Sequence, residues 1–105
     1  LVLRAEQIGV RAERLAAALN RAGWRARVIE GASTVGGGSA PGVAVPTRLV
    51  AVEKDRTSAV ELTRQLRMLD PPVVARIESD RVVLDLRTVA AEDDAELERV
   101  ILAAR

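Results

Sequence analysis

Residues 71–87 read PPVVARIESDRVVLDLR, two alternating runs rich in β-branched residues on either side of Ser79 and Asp80, and this stretch decides the fold. A period of two puts successive side chains on opposite faces of a strand, and a polar two-residue break between such runs is a hairpin turn. In the simplest register Glu78 faces Arg81 and Arg76 faces Val83, so Val73, Ala75, Ile77, Val82, Leu84 and Leu86 share a core face. Arg76, Asp85 and Arg87 share the other face. Arg76 lies diagonal to Asp85, which suits a cross-strand ion pair worth about 0.2 to 1 kcal/mol. Arg87 ends its strand just before a loop, a place from which a side chain reaches a neighbouring site.

Downstream of the hairpin, Glu92, Asp93 and Asp94 put negative charge where a helix N-terminus favours it, and Leu97, Val100, Ile101 and Ala104 supply an apolar stripe. Upstream, Ser58 and Glu61 have capping-box spacing ahead of a helix with Leu62, Leu66 and Leu69 on its buried side, ended by Asp70, Pro71 and Pro72. Thr47 to Glu53 reads as a strand. The preceding stretch from Gly31 to Pro46, GASTVGGGSAPGVAVP, holds five glycines and two prolines and predicts a long loop. Trp24 to Ile29 alternates as a strand, with Trp24, Ala26 and Val28 on one side and Arg25 and Arg27 on the other. From Leu3 to Ala22 the spacing of Ile8, Ala12, Leu15, Leu19 and Ala22 predicts an amphipathic helix stopped by Gly23. The order α-β-β-α-β-β-α predicts an α+β two-layer sandwich: a mostly antiparallel four-stranded sheet with helices on one face. The face with Arg76, Asp85 and Arg87 is then left to water or to another domain.

A chain of 105 residues and 11.2 kDa, 49% apolar, builds one domain and one core, expected to span residues 1–105. The formal charge of +1 gives no bulk field for nucleic acid or an anionic membrane. There is no cysteine and no histidine, which excludes disulfides, thiol nucleophiles, zinc-finger spacings and the usual general base. Metal binding would need carboxylates alone and catalysis an Asp–Glu dyad, but Glu92, Asp93 and Asp94 are better explained as helix-terminus charges, so no catalytic residue and no metal ligand is assigned. Apolar runs too short to span a bilayer, and a start LVLRAEQIG without signal-peptide layout, predict no membrane partner and a cytoplasmic location. A first residue of Leu1 in place of Met suggests a piece of a longer polypeptide.

The glycines do not make a dinucleotide loop, because after Gly36 and Gly38 the third glycine position is Pro41, and no phosphate-loop GK[ST] follows. Two readings stay open for Gly36, Gly37, Gly38 and Ser39: a mobile surface loop, or a cup of backbone amides for an anion. Arg11, Arg14, Arg21, Arg25 and Arg27 either line a nucleic-acid backbone or form a solvated face, and with Trp24 the one aromatic residue there is no base-stacking platform.

The helix RAERLAAALNRAG, the loop VGGGSAPG followed by VPTRLVAV, and the string DPPVVARIESDRVVLDLRTVAAEDD together resemble the C-terminal domain of bacterial selenocysteine synthases, the L-seryl-tRNA(Sec) selenium transferases. The resemblance covers nearly the whole chain and keeps the order of its elements. It implies a fold-type I enzyme whose large domain, absent here, holds pyridoxal phosphate on a lysine, and whose small C-terminal domain packs beside it. It also implies conversion of seryl-tRNA(Sec) to selenocysteinyl-tRNA(Sec) with selenophosphate as donor, by a large homo-oligomer. The chain by itself is then inactive, and Lys54, its single lysine, does not stand in the cofactor-lysine position. In sulfur-amino-acid lyases of this fold an arginine late in the domain, ahead of an acidic helix start, binds the substrate carboxylate. LDLRTVAAEDD puts Arg87 in the similar place, where a guanidinium fork suits two oxygens. The substrate-binding set expected on this basis is Arg87, Arg76, Gly36, Gly37, Gly38 and Ser39. The same domain of a related pyridoxal-phosphate lyase acting on a small amino acid or amino sugar is one alternative, and a stand-alone α+β ligand-binding module is another.

Overall fold

A computed structural model describes residues 5–34 and 44–103. Within them lie α1 (Ala5–Arg21), β1 (Arg25–Thr34), β2 (Ala44–Glu53), α2 (Ala59–Arg67), β3 (Arg76–Glu78), β4 (Arg81–Asp85) and α3 (Asp94–Ala103). Short 3-10 turns at Leu86–Thr88 and Ala91–Asp93 lead into α3. The sheet runs β1-β2-β4-β3 with antiparallel neighbours throughout, the α+β arrangement that the hydrophobic periods predict.

Local chemistry explains where the elements start and stop. Ile8, Ala12, Leu15 and Leu19 bury one stripe of α1, while Ala22 lies exposed past its end. Gly23 takes φ 95°, which an L side chain rarely adopts, and the Trp24 N–H donates to the Leu19 carbonyl at 3.0 Å. The chain thereby reverses into β1 with Trp24 buried. The Asn20 amide then serves Ala26 of this edge strand twice: its Nδ2 donates to the Ala26 carbonyl and its Oδ1 accepts the Ala26 N–H, both at 2.9 Å. At α2, the Ser58 hydroxyl oxygen accepts the Glu61 N–H at 3.1 Å, the predicted cap. Arg64 hydrogen bonds to the Glu61 side chain one turn on and holds that carboxyl below its ordinary range. In the hairpin, Ser79 and Asp80 both have positive φ, as a two-residue turn with the right twist demands, and Arg76↔Val83 and Glu78↔Arg81 pair in the predicted register.

Helices and sheet enclose one main core, built from Ile8, Leu15, Leu19, Val50, Val52, Leu62, Leu66, Val82, Leu84, Leu86 and Ile101 among others. Val73 joins it, and Ala75 and Leu69 pack against it. Ile77 does not: it lies on the predicted face opposite Val82 but is 41% exposed, because β3 is a three-residue strand at the edge of the sheet.

A second departure concerns residues 31–46. The predicted loop is strand at both ends, since β1 continues to Thr34 and β2 begins at Ala44, paired from Arg25↔Glu53 to Thr34↔Ala44. Only residues 49–52 of β2 pair with β4, so the far end of this hairpin overhangs the rest of the sheet. The overhang curls. Arg76 on β3 donates from Nη2 to the Ala32 carbonyl on β1 at 2.8 Å, yet these strands are the two edges of the sheet, about 14 Å apart if it were flat. The right-handed twist of a long two-stranded ribbon brings them together. Of the face expected to be left to water or to another domain, part is instead covered by the chain's own curled hairpin. Leu49, Ala51 and Val83 form a second buried cluster there with Ile29 packed against it.

Gly31 shows how close this packing is, because a Cβ built on it would meet Leu49 Cδ1 at 2.3 Å and Cγ at 2.8 Å. Leu49 is fully buried and has nowhere to retreat. Gly31→Ala is expected to destabilise the chain by about 1 to 3 kcal/mol, the usual cost of overpacking, read as a lower urea midpoint at unchanged m-value.

Candidate functional site

Asp85 is an acid inside an apolar strand, and at 8% exposure its carboxylate needs partners close by. β4 ends at this residue, opposite Leu49 of β2 and on the face away from the helices. Oδ1 accepts the Thr47 hydroxyl at 3.0 Å and the backbone N–H of Arg87 at 3.0 Å. Oδ2 lies 3.8 Å from Arg76 Nη1. The Asp85 carbonyl accepts the Thr88 hydroxyl at 2.8 Å, which closes the 3-10 turn carrying Arg87. Arg87 in turn donates from Nη2 to the Pro46 carbonyl at 2.7 Å. Arg76 is held by Glu78 through Nε and by Ala32 through Nη2.

The structure thus brings Arg76 and Arg87 of the expected set together on one carboxylate, and both reach to backbone carbonyls of the β1–β2 hairpin. Gly36, Gly37, Gly38 and Ser39 lie outside the described residues. Thr47 was missed by sequence reasoning. Its signal was a polar residue at the head of the apolar run LVAV, where a buried hydroxyl has to donate to something. A groove of about 350 Å³ opens on the helix side of this end of β4, walled by Val73, Leu84, Leu86, Val89 and Leu97 and touched by Asp85 and Thr88 but by neither arginine.

The other arginines divide. Arg11 is no part of a free cationic row: its Nε and Nη2 grip the Asp94 carboxylate at 2.8 and 2.7 Å, and Nη2 also donates to the Val89 carbonyl at 2.7 Å. The Asp94 hydrogen bonds raise the Arg11 guanidinium above its ordinary pKa, against the opposing effect of burial. This pair fastens the first residue of α3 to α1. Arg25 lies 3.5 Å from Glu53 and 3.1 Å from Asp55. Arg14, Arg21 and Arg27 are exposed. Lys54 sits on the β2–α2 connection with Nζ 5.2 Å from the centre of the Trp24 ring, a cation–π contact. Among the described residues no group of three or more acidic side chains is placed to hold a metal ion, and no helix is long and apolar enough to cross a membrane.

Fold and cluster together define a small α+β domain that gathers two arginines on a buried carboxylate at one end of its sheet. The family model of the L-seryl-tRNA selenium transferases matches residues 1–90, and the chain belongs to that family. Three relatives illustrate the similarity, each named L-seryl-tRNA(Sec) selenium transferase. The protein from Aquifex aeolicus (strain VF5) is 45% identical over 71 residues, covering 68% of this chain and 16% of the relative. That of Clostridium botulinum (strain 657 / Type Ba4) is 40% identical over 67 residues, covering 64% and 14%. That of Moorella thermoacetica is 36% identical over 107 residues, covering 99% and 23%. The chain therefore spans less than a quarter of the length of these relatives.

Arg11→Ala is expected to lower stability by about 2 kcal/mol, since it leaves Asp94 and the Val89 carbonyl without their charged donor. Arg11→Lys recovers only part, because an ammonium cannot reproduce the fork. Paired urea titrations of the two variants measure the difference.

Proposed function

We propose that this chain is the small C-terminal domain of a pyridoxal-phosphate-dependent selenium transferase that converts seryl-tRNA(Sec) to selenocysteinyl-tRNA(Sec) with selenophosphate as donor. The observation that carries this reading is the family match over residues 1–90 in a chain covering 23% or less of the relatives' length. The complete enzyme is cytoplasmic and homo-oligomeric, the missing large domain is the partner of this one, and seryl-tRNA(Sec) is its substrate.

The described residues do not fit a pyridoxal-phosphate site. Lys54, the single lysine, has its ammonium committed over the Trp24 ring, and the charges around it are mixed, Arg25 and Arg56 against Glu53 and Asp80, with no aromatic ring among the described residues placed to stack on a pyridine. The cofactor lysine belongs to the large domain, and no chemical step is assigned to this chain. Its contribution is binding. Arg87, at the end of β4 and ahead of the acidic start of α3, supplies a cationic donor at the edge of the cleft between the domains. A seryl group esterified to tRNA has no free carboxylate, so the guanidinium meets an ester carbonyl or a phosphate oxygen. Arg76, on the same buried carboxylate, supports that end of the sheet. The Gly36–Ser39 segment between β1 and β2 offers small residues for close approach.

Arg87→Ala in the complete enzyme is expected to lower kcat/KM by about ten- to hundredfold, the effect of one charged hydrogen bond, with only a small loss of thermal stability from the Pro46 carbonyl left without its donor. Unchanged kinetics would remove Arg87 from the site. Blotting source-cell lysate for this segment is expected to reveal a polypeptide several times larger, and its purified form to be yellow from lysine-bound pyridoxal phosphate. A colourless product of this chain's own size would overturn the reading.

A further inference from the structure

Arg87 is held at both ends by one corner of the sheet. Its peptide N–H donates to Asp85 Oδ1 and its Nη2 donates to the carbonyl of Pro46. The residue after Pro46 is Thr47, whose hydroxyl donates to that same Oδ1. A single carboxylate oxygen thus ties the turn that carries Arg87 to the strand that supplies its side-chain acceptor. Thr47 is fully buried and the Asp85 side chain is 5% exposed, so water does not compete for these bonds.

We infer that Thr47 and Asp85 are positioning residues that aim the Arg87 guanidinium, an inference resting on the proposed role of Arg87 in binding substrate oxygen. A binding arginine acts only where its fork meets the ligand, and a small displacement of its anchor costs affinity without changing the residue itself. Asp85 sets the main chain of Arg87, and through Thr47 it also sets the Pro46 carbonyl against which the side chain lies. Sharing Oδ1 makes these two settings interdependent: when the Thr47 hydroxyl is lost, the Pro46 carbonyl and the Arg87 turn are no longer fixed to a common point.

The test uses the complete enzyme with Thr47→Val, Thr47→Ser and Asp85→Asn, each measured two ways. One is KM and kcat for seryl-tRNA(Sec). The other is the rate at which phenylglyoxal labels Arg87, read by mass spectrometry of its peptide. Thr47→Val, which keeps the shape and removes the donor, is expected to raise both KM and the labelling rate about fivefold at little change in kcat, the size of one lost hydrogen bond. Thr47→Ser keeps the donor and is expected to stay near the parent, whereas Asp85→Asn keeps an accepting oxygen but turns an amide N–H toward Arg76 and is expected to raise the labelling rate at least as much as Thr47→Val. In an Arg87→Ala background, Thr47→Val is expected to add nothing to KM. If Thr47→Val does not fold, Thr47→Cys, whose thiol is a weak donor, serves the same comparison.

A folded Thr47→Val enzyme whose Arg87 labels at the parent rate would overturn the inference while leaving the substrate role of Arg87 intact. The converse is equally readable: if Arg87→Ala leaves kinetics unchanged while labelling still follows Thr47, the positioning stands and the substrate role falls. An effect of Thr47→Val on KM that persists undiminished in the Arg87→Ala background also overturns the inference, since Thr47 then acts by another route.

Discussion

One buried carboxylate holds together the parts of this domain that the hydrophobic effect alone would leave loose. The apolar faces of α1, α2 and α3 fix their places against the sheet by burial, which is non-directional. Nothing in that packing determines how the overhanging end of the β1–β2 hairpin sits relative to β4. Asp85 does so, because a charge taken out of water must find its donors wherever the chain can bring them, and here they come from Thr47, from the Arg87 peptide and from the vicinity of Arg76. Removing one partner of such a buried group is far more costly than an exposed ion pair is stabilising.

That constraint shapes both faces of the sheet. With the hairpin curled back, Leu49, Ala51 and Val83 are sealed on the side that carries no helix, and the domain has two cores of unequal size. Arginine is suited to the seam between them, since its stem lies on apolar surface while its planar head reaches several carbonyls. Arg76 and Arg87 both use their heads in this way. Arg87, the arginine proposed to meet substrate, is thus also a structural member of the corner it occupies.

Much of this was legible in the sequence, and what was legible was local. The turn at Ser79 and Asp80, the Ser58 cap and the Gly23 stop are each decided within a few residues, and each stands where its pattern predicts. The run of glycines misled because glycine marks either a loop or a close approach. Gly31 is the second kind, inside a strand under the Leu49 side chain. Ile77 followed its alternation correctly but is exposed, since period gives the face of a strand and not the reach of the layer above it. The pairs that define the site could not be read at all: Thr47 with Asp85 and Arg11 with Asp94 join residues 38 and 83 positions apart. A single sequence shows that a buried acid needs a donor without saying which donor the fold delivers.

The Asn20 side chain has one more consequence. By taking both the N–H and the carbonyl of Ala26, it fills the outward-facing hydrogen-bonding position near the start of β1, the longer of the two strands that border the sheet. A neighbouring chain therefore finds no matched ladder to extend at that point, and self-association by adding strand to strand is blocked there. Side-chain amide chemistry at the end of a helix thus caps the start of that border against a neighbouring strand.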